Sequence, residues 1–132
     1  MITTLAQVSL LVNDYDDARA FYVDKLGFIC IEDTKLSEDK RWIRLKPSAS
    51  GNDSDILLVK ANSEAEKARV GNQSAGRVLF FFHSNDFESD YEALKSRGVE
   101  FVEGPFDRPH GRVAVFKDLY GNRMDLIGPS HT

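Results

Sequence analysis

Apolar and polar positions along the chain run through one pattern twice. Gln7–Val12 (QVSLLV) and Arg77–Phe82 (RVLFFF) are short runs of strand-forming residues, each followed by a polar step and then by apolar residues at helical spacing. In DYDDARAFYVDKLG, Ala18, Phe21, Tyr22 and Lys25 recur at i, i+3, i+4 and i+7; Asp14 is placed to cap the first turn and Gly27 to stop the last. In NDFESDYEALKSRG, Asn85 or Asp86 is the cap, Phe87, Tyr91 and Leu94 form the apolar stripe, and Gly98 is the stop. The offset from Gln7 to Arg77 is 70 residues, and from Gly27 to Gly98 it is 71. Agreement in order, spacing and punctuation marks an internal duplication.

Three more strand runs follow each helix. They are Phe28–Asp33, Arg41–Lys46 and Asp55–Lys60 in the first copy, and Val99–Gly104, Gly111–Lys117 and Arg123–Gly128 in the second. The chain therefore reads as βαβββ twice, an α+β fold in a single domain. The first module spans about 1–62, a polar linker about 63–76 with helical spacing at Ser63–Val70, and the second module about 77–129. One helix covers only one face of such a sheet. The two bare faces are expected to enclose each other, giving a mixed, barrel-like sheet with helices outside and a concave cavity of the kind small molecules occupy.

Composition narrows the partners. With 42% hydrophobic and 29% charged residues the chain reads as a soluble globular protein. A net charge of -4 argues against nucleic acid, which wants a basic surface. There is no apolar run of membrane-spanning length, and MITTLAQVSLLV lacks the basic start of a secretory signal, so the expected location is the cytoplasm. The single cysteine, Cys30, excludes an intrachain disulfide and a cysteine-rich zinc site.

The stretches VSLLVNDYDDARAFYVDKLGF (Val8–Phe28) and VAVFKDLYGNRMDLI (Val113–Ile127) resemble the vicinal oxygen chelate superfamily, the group of glyoxalases, bleomycin-resistance proteins and extradiol dioxygenases. The resemblance covers nearly the whole chain. It implies a homodimer with a ligand cavity at or near the interface. It also implies a divalent metal held by the first and last strands of each repeat, at Gln7, Leu58, Arg77 and Asp125. That set departs from the family pattern. Gln7 can offer an amide oxygen and Asp125 a carboxylate, but Leu58 has nothing to donate and Arg77 is a fixed cation without a lone pair. No cofactor is expected, and a divalent metal is the minority reading.

The family topology sets the first and last strands of a module side by side, which implies that Arg77 and Asp125 face each other. A bidentate pair between them would stand in the place of the ion and account for a carboxylate inside the apolar run Met124, Leu126, Ile127. That pair either neutralises itself in a filled core or also meets a ligand oxygen through Arg77. Strand alternation adds Ser9 and Leu11 to the face of Gln7, and Leu79, Phe81 and His83 to the face of Arg77. Trp42 and Arg44, two apart on one strand, read either as a stacking plate beside a cation or as edge packing. Cys30, opposite Ile29 and Ile31, is placed toward the cavity but has no histidine to activate it. Tyr120 is expected to cover one end of the pocket. His110 lies in a loop (RPHGR), and His131 falls in the C-terminal tail.

Two functional readings follow. One is a metal-free protein that binds a small molecule in a concave cavity formed with a second copy of itself. The other is a divergent metal-dependent lyase or isomerase of glyoxalase type. An extradiol dioxygenase is disfavoured because it needs two histidines and a carboxylate on one metal.

Overall fold

The alternation of the strand runs is realised as two separate four-stranded sheets. The computed structural model describes residues 1–49, 51 and 54–129. Its elements are β1 (Gln7–Val12), α1 (Tyr15–Ala20), a π-helical turn (Phe21–Lys25), β2 (Ile29–Lys35), β3 (Arg41–Lys46), β4 (Asp55–Lys60) and α2 (Glu64–Arg69). Then follow β5 (Val78–His83), α3 (Phe87–Ser96), β6 (Glu100–Arg108), β7 (Gly111–Lys117) and β8 (Arg123–Ile127). The first sheet has the order β1-β4-β3-β2 and the second β5-β8-β7-β6. In each, the first and last strands of the module pair in parallel while the other pairs are antiparallel. Neither sheet closes on itself. One compact unit ends at Val70 and the next begins at Gly71, so α2 belongs to the first, where it packs against β1.

The helix signals act as read. Asp14 accepts a hydrogen bond from Asp17 N at 2.8 Å, and Asp86 accepts one from Ser89 N at 3.2 Å. Gly27 and Gly98 both adopt the left-handed conformation that ends a helix, with φ of 80° and 87°. Ser63 caps α2 by accepting from Glu66 N, and the Glu66 carboxylate reaches back to Asn62 N at 3.0 Å.

Each helix covers one face of its sheet. In the first unit, Leu10, Val12, Ile43, Leu45, Ile56 and Leu58 are buried, with α1 packed on β3 and β4. At ~1.5–3 kcal/mol for each fully buried aliphatic side chain, this layer is the main stabilising element of the unit. In the second unit the layer is aromatic: Phe82 stacks on Phe116, Phe101 tilts against Phe116, and Tyr91 of α3 meets Phe101 edge-on at 4.5 Å. Among the described residues no helix is long and apolar enough to cross a membrane.

The stretch FKDLYGN is a brace for a turn. Asp118 is buried and accepts from Tyr120 N, Asn122 N and Asn122 Nδ2, each at 2.9 Å. These bonds lock the turn that delivers β8 beside β7.

Candidate functional site

The uncovered face of the second sheet carries the densest set of candidate residues. Phe81 on β5 pairs in register with Asp125 on β8, Asp125 with Val115 on β7, and Val115 with Glu103 on β6. Phe81 is 62% exposed although it lies inside an ordered strand. Its neighbours Phe80 and Phe82 point the other way and form an edge-on pair. His83, exposed at the end of β5, pairs with Ile127 and so shares the face of Phe81.

Asp125 does not pair with Arg77. β5 begins at Val78, and Arg77 precedes it as an exposed residue. The register shifts between Val78 and Phe80, which sets Phe81 beside Asp125. Arg77 lies four residues earlier, about 13 Å along the chain at ~3.3 Å per residue. Among the described residues neither side chain makes an ion pair. Partial burial holds the Asp125 carboxyl above its ordinary value, and the negative charge of Glu103 adds to this while His110 partly opposes it. Glu103 itself accepts from Arg123 Nη1 at 2.7 Å. Arg77 instead lines a cavity of about 320 Å³ with Phe81 and Arg123.

Tyr120 serves the turn. Its amide donates to Asp118, and its carbonyl approaches Gly71 so closely that a Cβ there would stand 2.0 Å from the oxygen. Gly71 has φ of 80°, which reinforces the demand for glycine. His131 lies outside the described residues.

In the first sheet, Gln7 pairs with Asp55 and Ser9 with Leu57. Leu58 pairs with Leu10 and Ile43, is 1% exposed, and faces the helix side; the β4 neighbour that shares the face of Gln7 is Leu57. Cys30 is likewise corrected. It pairs with Leu45 on the helix side, and its thiol donates to Glu32 O at 3.3 Å. The bulge between Cys30 and Glu32 breaks the alternation that would have turned it outward.

Arg44 is on the uncovered face, opposite Leu57, and holds two carboxylates. Its Nε and Nη2 donate to Asp55 Oδ2 at 3.1 and 2.8 Å, and its Nη1 donates to Glu32 Oε1 at 3.1 Å. Asp55 is 4% exposed, and its Oδ1 has no partner among the described residues. The arginine–aspartate fork expected in the second module is therefore built in the first, from Arg44. Asp55 was not among the expected site residues. Alternation puts Asp55 on the face of Leu57, but only the strand register shows that this is the face of Gln7 and Arg44.

Donor chemistry at the family positions does not fit a divalent ion. Leucine stands at 57 and at 58, and Arg77 offers no lone pair. Among the described residues no three His, Cys, Asp or Glu side chains converge on one point.

The fold agrees with the comparisons to known proteins. The chain belongs to the Glyoxalase/Bleomycin resistance protein/Dioxygenase superfamily, whose model matches residues 4–126. It is 44% identical over 128 residues to an uncharacterized protein of Shewanella frigidimarina (strain NCIMB 400), covering 96% of this chain and 94% of that one. Its structure is similar to UcmS2, with a TM-score of 0.83 at 32% identity, covering 96% and 98% of the two chains. It is also similar to TnmS3, an antibiotic binding protein from Streptomyces sp. CB03234, with a TM-score of 0.79 at 29% identity and 98% of both chains covered.

Proposed function

We propose that the protein binds a small molecule without a metal, on the uncovered face of the second sheet, and acts as a cytoplasmic homodimer. The observation that carries this reading is Phe81. A phenyl ring left 62% exposed in an ordered strand is a surface for another apolar group. Polar groups of both signs border it, with Arg77 and Arg123 in the adjoining cavity and Asp125 beside it in register. An apolar plate with a few placed polar groups is the usual make-up of a small-molecule site. The similarity to TnmS3, described as an antibiotic binding protein, supports the same class of function.

The metal-free part rests on the donor set. A ligand bound here meets Phe81, Asp125 and Arg77 directly, and nothing in these residues activates water or polarises a carbonyl through an ion. The test is ligand-dependent thermal stabilisation across a panel of planar antibiotics, with wild type compared to Phe81→Ala and Asp125→Asn. Stabilisation in wild type that both variants weaken is the expected result. Turnover of lactoylglutathione after reconstitution with zinc or nickel would overturn the reading in favour of a lyase.

A further inference from the structure

The ladder between β3 and β4 is shorter than either strand. It runs from Ile43 to Leu45 against Leu58 to Ile56, although β3 starts at Arg41 and β4 ends at Lys60. Where the two strand ends run past the ladder there is a cavity of about 680 Å³. Its apolar wall is formed by Leu57, Leu58, Ala61 and the half-buried Trp42. This is the volume of a drug-sized ligand, and it lies wholly within the first unit.

The charge of the lining runs against the charge of the chain. The protein has 21 acidic and 17 basic residues, yet Lys40, Arg41, Lys60 and Lys67 line this cavity against Asp39 and Glu66 alone. Arg41 is already committed, to Asp33 and to Asp16, each at 2.7 Å. Glu66 is occupied as the acceptor for Asn62 N. Lys67 is 3.7 Å from Glu64 in an exposed contact, which counts for little. Lys40 and Lys60 have no ion-pair partner among the described residues. Uncommitted ammonium groups and an indole ring lining one cavity match one kind of molecule.

We propose that this wedge is a second binding site, separate from the face of Phe81, and that it takes a planar aromatic ring carrying an anionic group. The ring lies against Trp42 and the anion meets Lys60 and Lys67.

Trp42 is the only tryptophan of the chain, so intrinsic emission reports on this cavity directly. The probe is 4-nitrophenyl phosphate, a planar dianion whose nitroaromatic ring quenches indole. Titration of the wild-type protein is expected to give saturable quenching. The affinity should fall about tenfold in the Lys60→Gln/Lys67→Gln variant, as expected for losing a charge-assisted contact. Both lysines are exposed, so the variant keeps its fold, which circular dichroism verifies. Phe81→Ala should bind the probe as wild type does, which separates this site from the one proposed above. Any of these results overturns the proposal: linear, non-saturating quenching; equal quenching by neutral 4-nitrobenzyl alcohol; or an affinity unchanged by removing both lysines. Displacement of the probe by inorganic phosphate at equal concentration also overturns it, because the ring would then contribute nothing.

Discussion

Phe81 and Asp125 are register partners on the parallel strands β5 and β8, so an exposed phenyl ring and a partly buried carboxyl group share one face of the sheet. Neither group is there for stability. The ring leaves apolar surface in water, and burial and the charge of Glu103 disfavour the ionised carboxyl, with His110 opposing them only in part.

Asp125→Asn should stabilise the free protein at neutral pH. Burial, and then Glu103, hold the folded-state pKa above the ordinary 3.8. The folded protein therefore takes up this proton before the unfolded chain does, and stability from this group rises as pH falls from the raised value toward 3.8. Ionised Asp125 opposes folding at pH 7, by less than about 1 kcal/mol once solvent screening is counted. Urea denaturation should show the variant ahead at pH 7 and level with wild type below pH 3.8. Asp33 works in the opposite direction: hydrogen bonding to Arg41 lowers its pKa, so its contribution is lost under the same acid conditions in both proteins. A variant less stable than wild type at pH 7 would show that Asp125 has a partner.

Two phenylalanines of the second sheet should respond in opposite ways to truncation. Phe116 is 2% exposed and touches Phe82 and Phe101, so Phe116→Ala should cost about 3–5 kcal/mol. Phe81→Ala should change stability by no more than about 0.5 kcal/mol, since it vacates solvent-facing space. Equal losses from both, measured by thermal denaturation, would mean that Phe81 is covered in solution.

Removing Arg44 should destabilise the first unit through Asp55. Arg44→Met leaves a buried carboxylate with neither oxygen satisfied, and the urea midpoint should drop clearly. Adding Asp55→Asn to the same chain should recover much of that loss, because it removes the uncompensated charge. An additive pair of losses would contradict this account.

Asp118→Ala should cost about 2 kcal/mol or more, because it strands two backbone amides and the Asn122 side chain in a buried turn. Asp118→Asn should lose less, as one oxygen can still accept from Tyr120 N and Asn122 N. The ranking of the two by thermal midpoint is the measurement.

These contrasts also show where the sequence was legible. Strand runs, caps and glycine stops lie in the local pattern, and β1, β3, β4 and β7 have the limits expected from alternation alone. The motif FKDLYGN was legible as a family signature because a buried turn brace constrains several residues at once. Register was not legible. A one-residue slip turns every side chain of a strand to the other face, and Leu57 rather than the family-implied Leu58 shares the face of Gln7. The irregularities at Cys30/Glu32 and Val78/Phe80 leave no mark in composition, yet the first turns Cys30 to the helix side and the second sets Phe81 rather than Phe80 beside Asp125. Pairing of charges across a sheet depends on such offsets, so Arg44–Asp55 could be found only once strand neighbours were known.

The parallel pairing of β1 with β4 and of β5 with β8 also bears on how the chain is made. A nascent chain that has released β1 to β3 has a hairpin of β2 and β3 but no neighbour for β1, whose partner is the last strand of its unit to be synthesised. The long loop must close before that pairing is rewarded, so each unit should gain its order late and in one step. The first unit can do so while the second is still being translated, and a ribosome stalled before β4 emerges would carry an exposed, strand-rich fragment for a chaperone to hold.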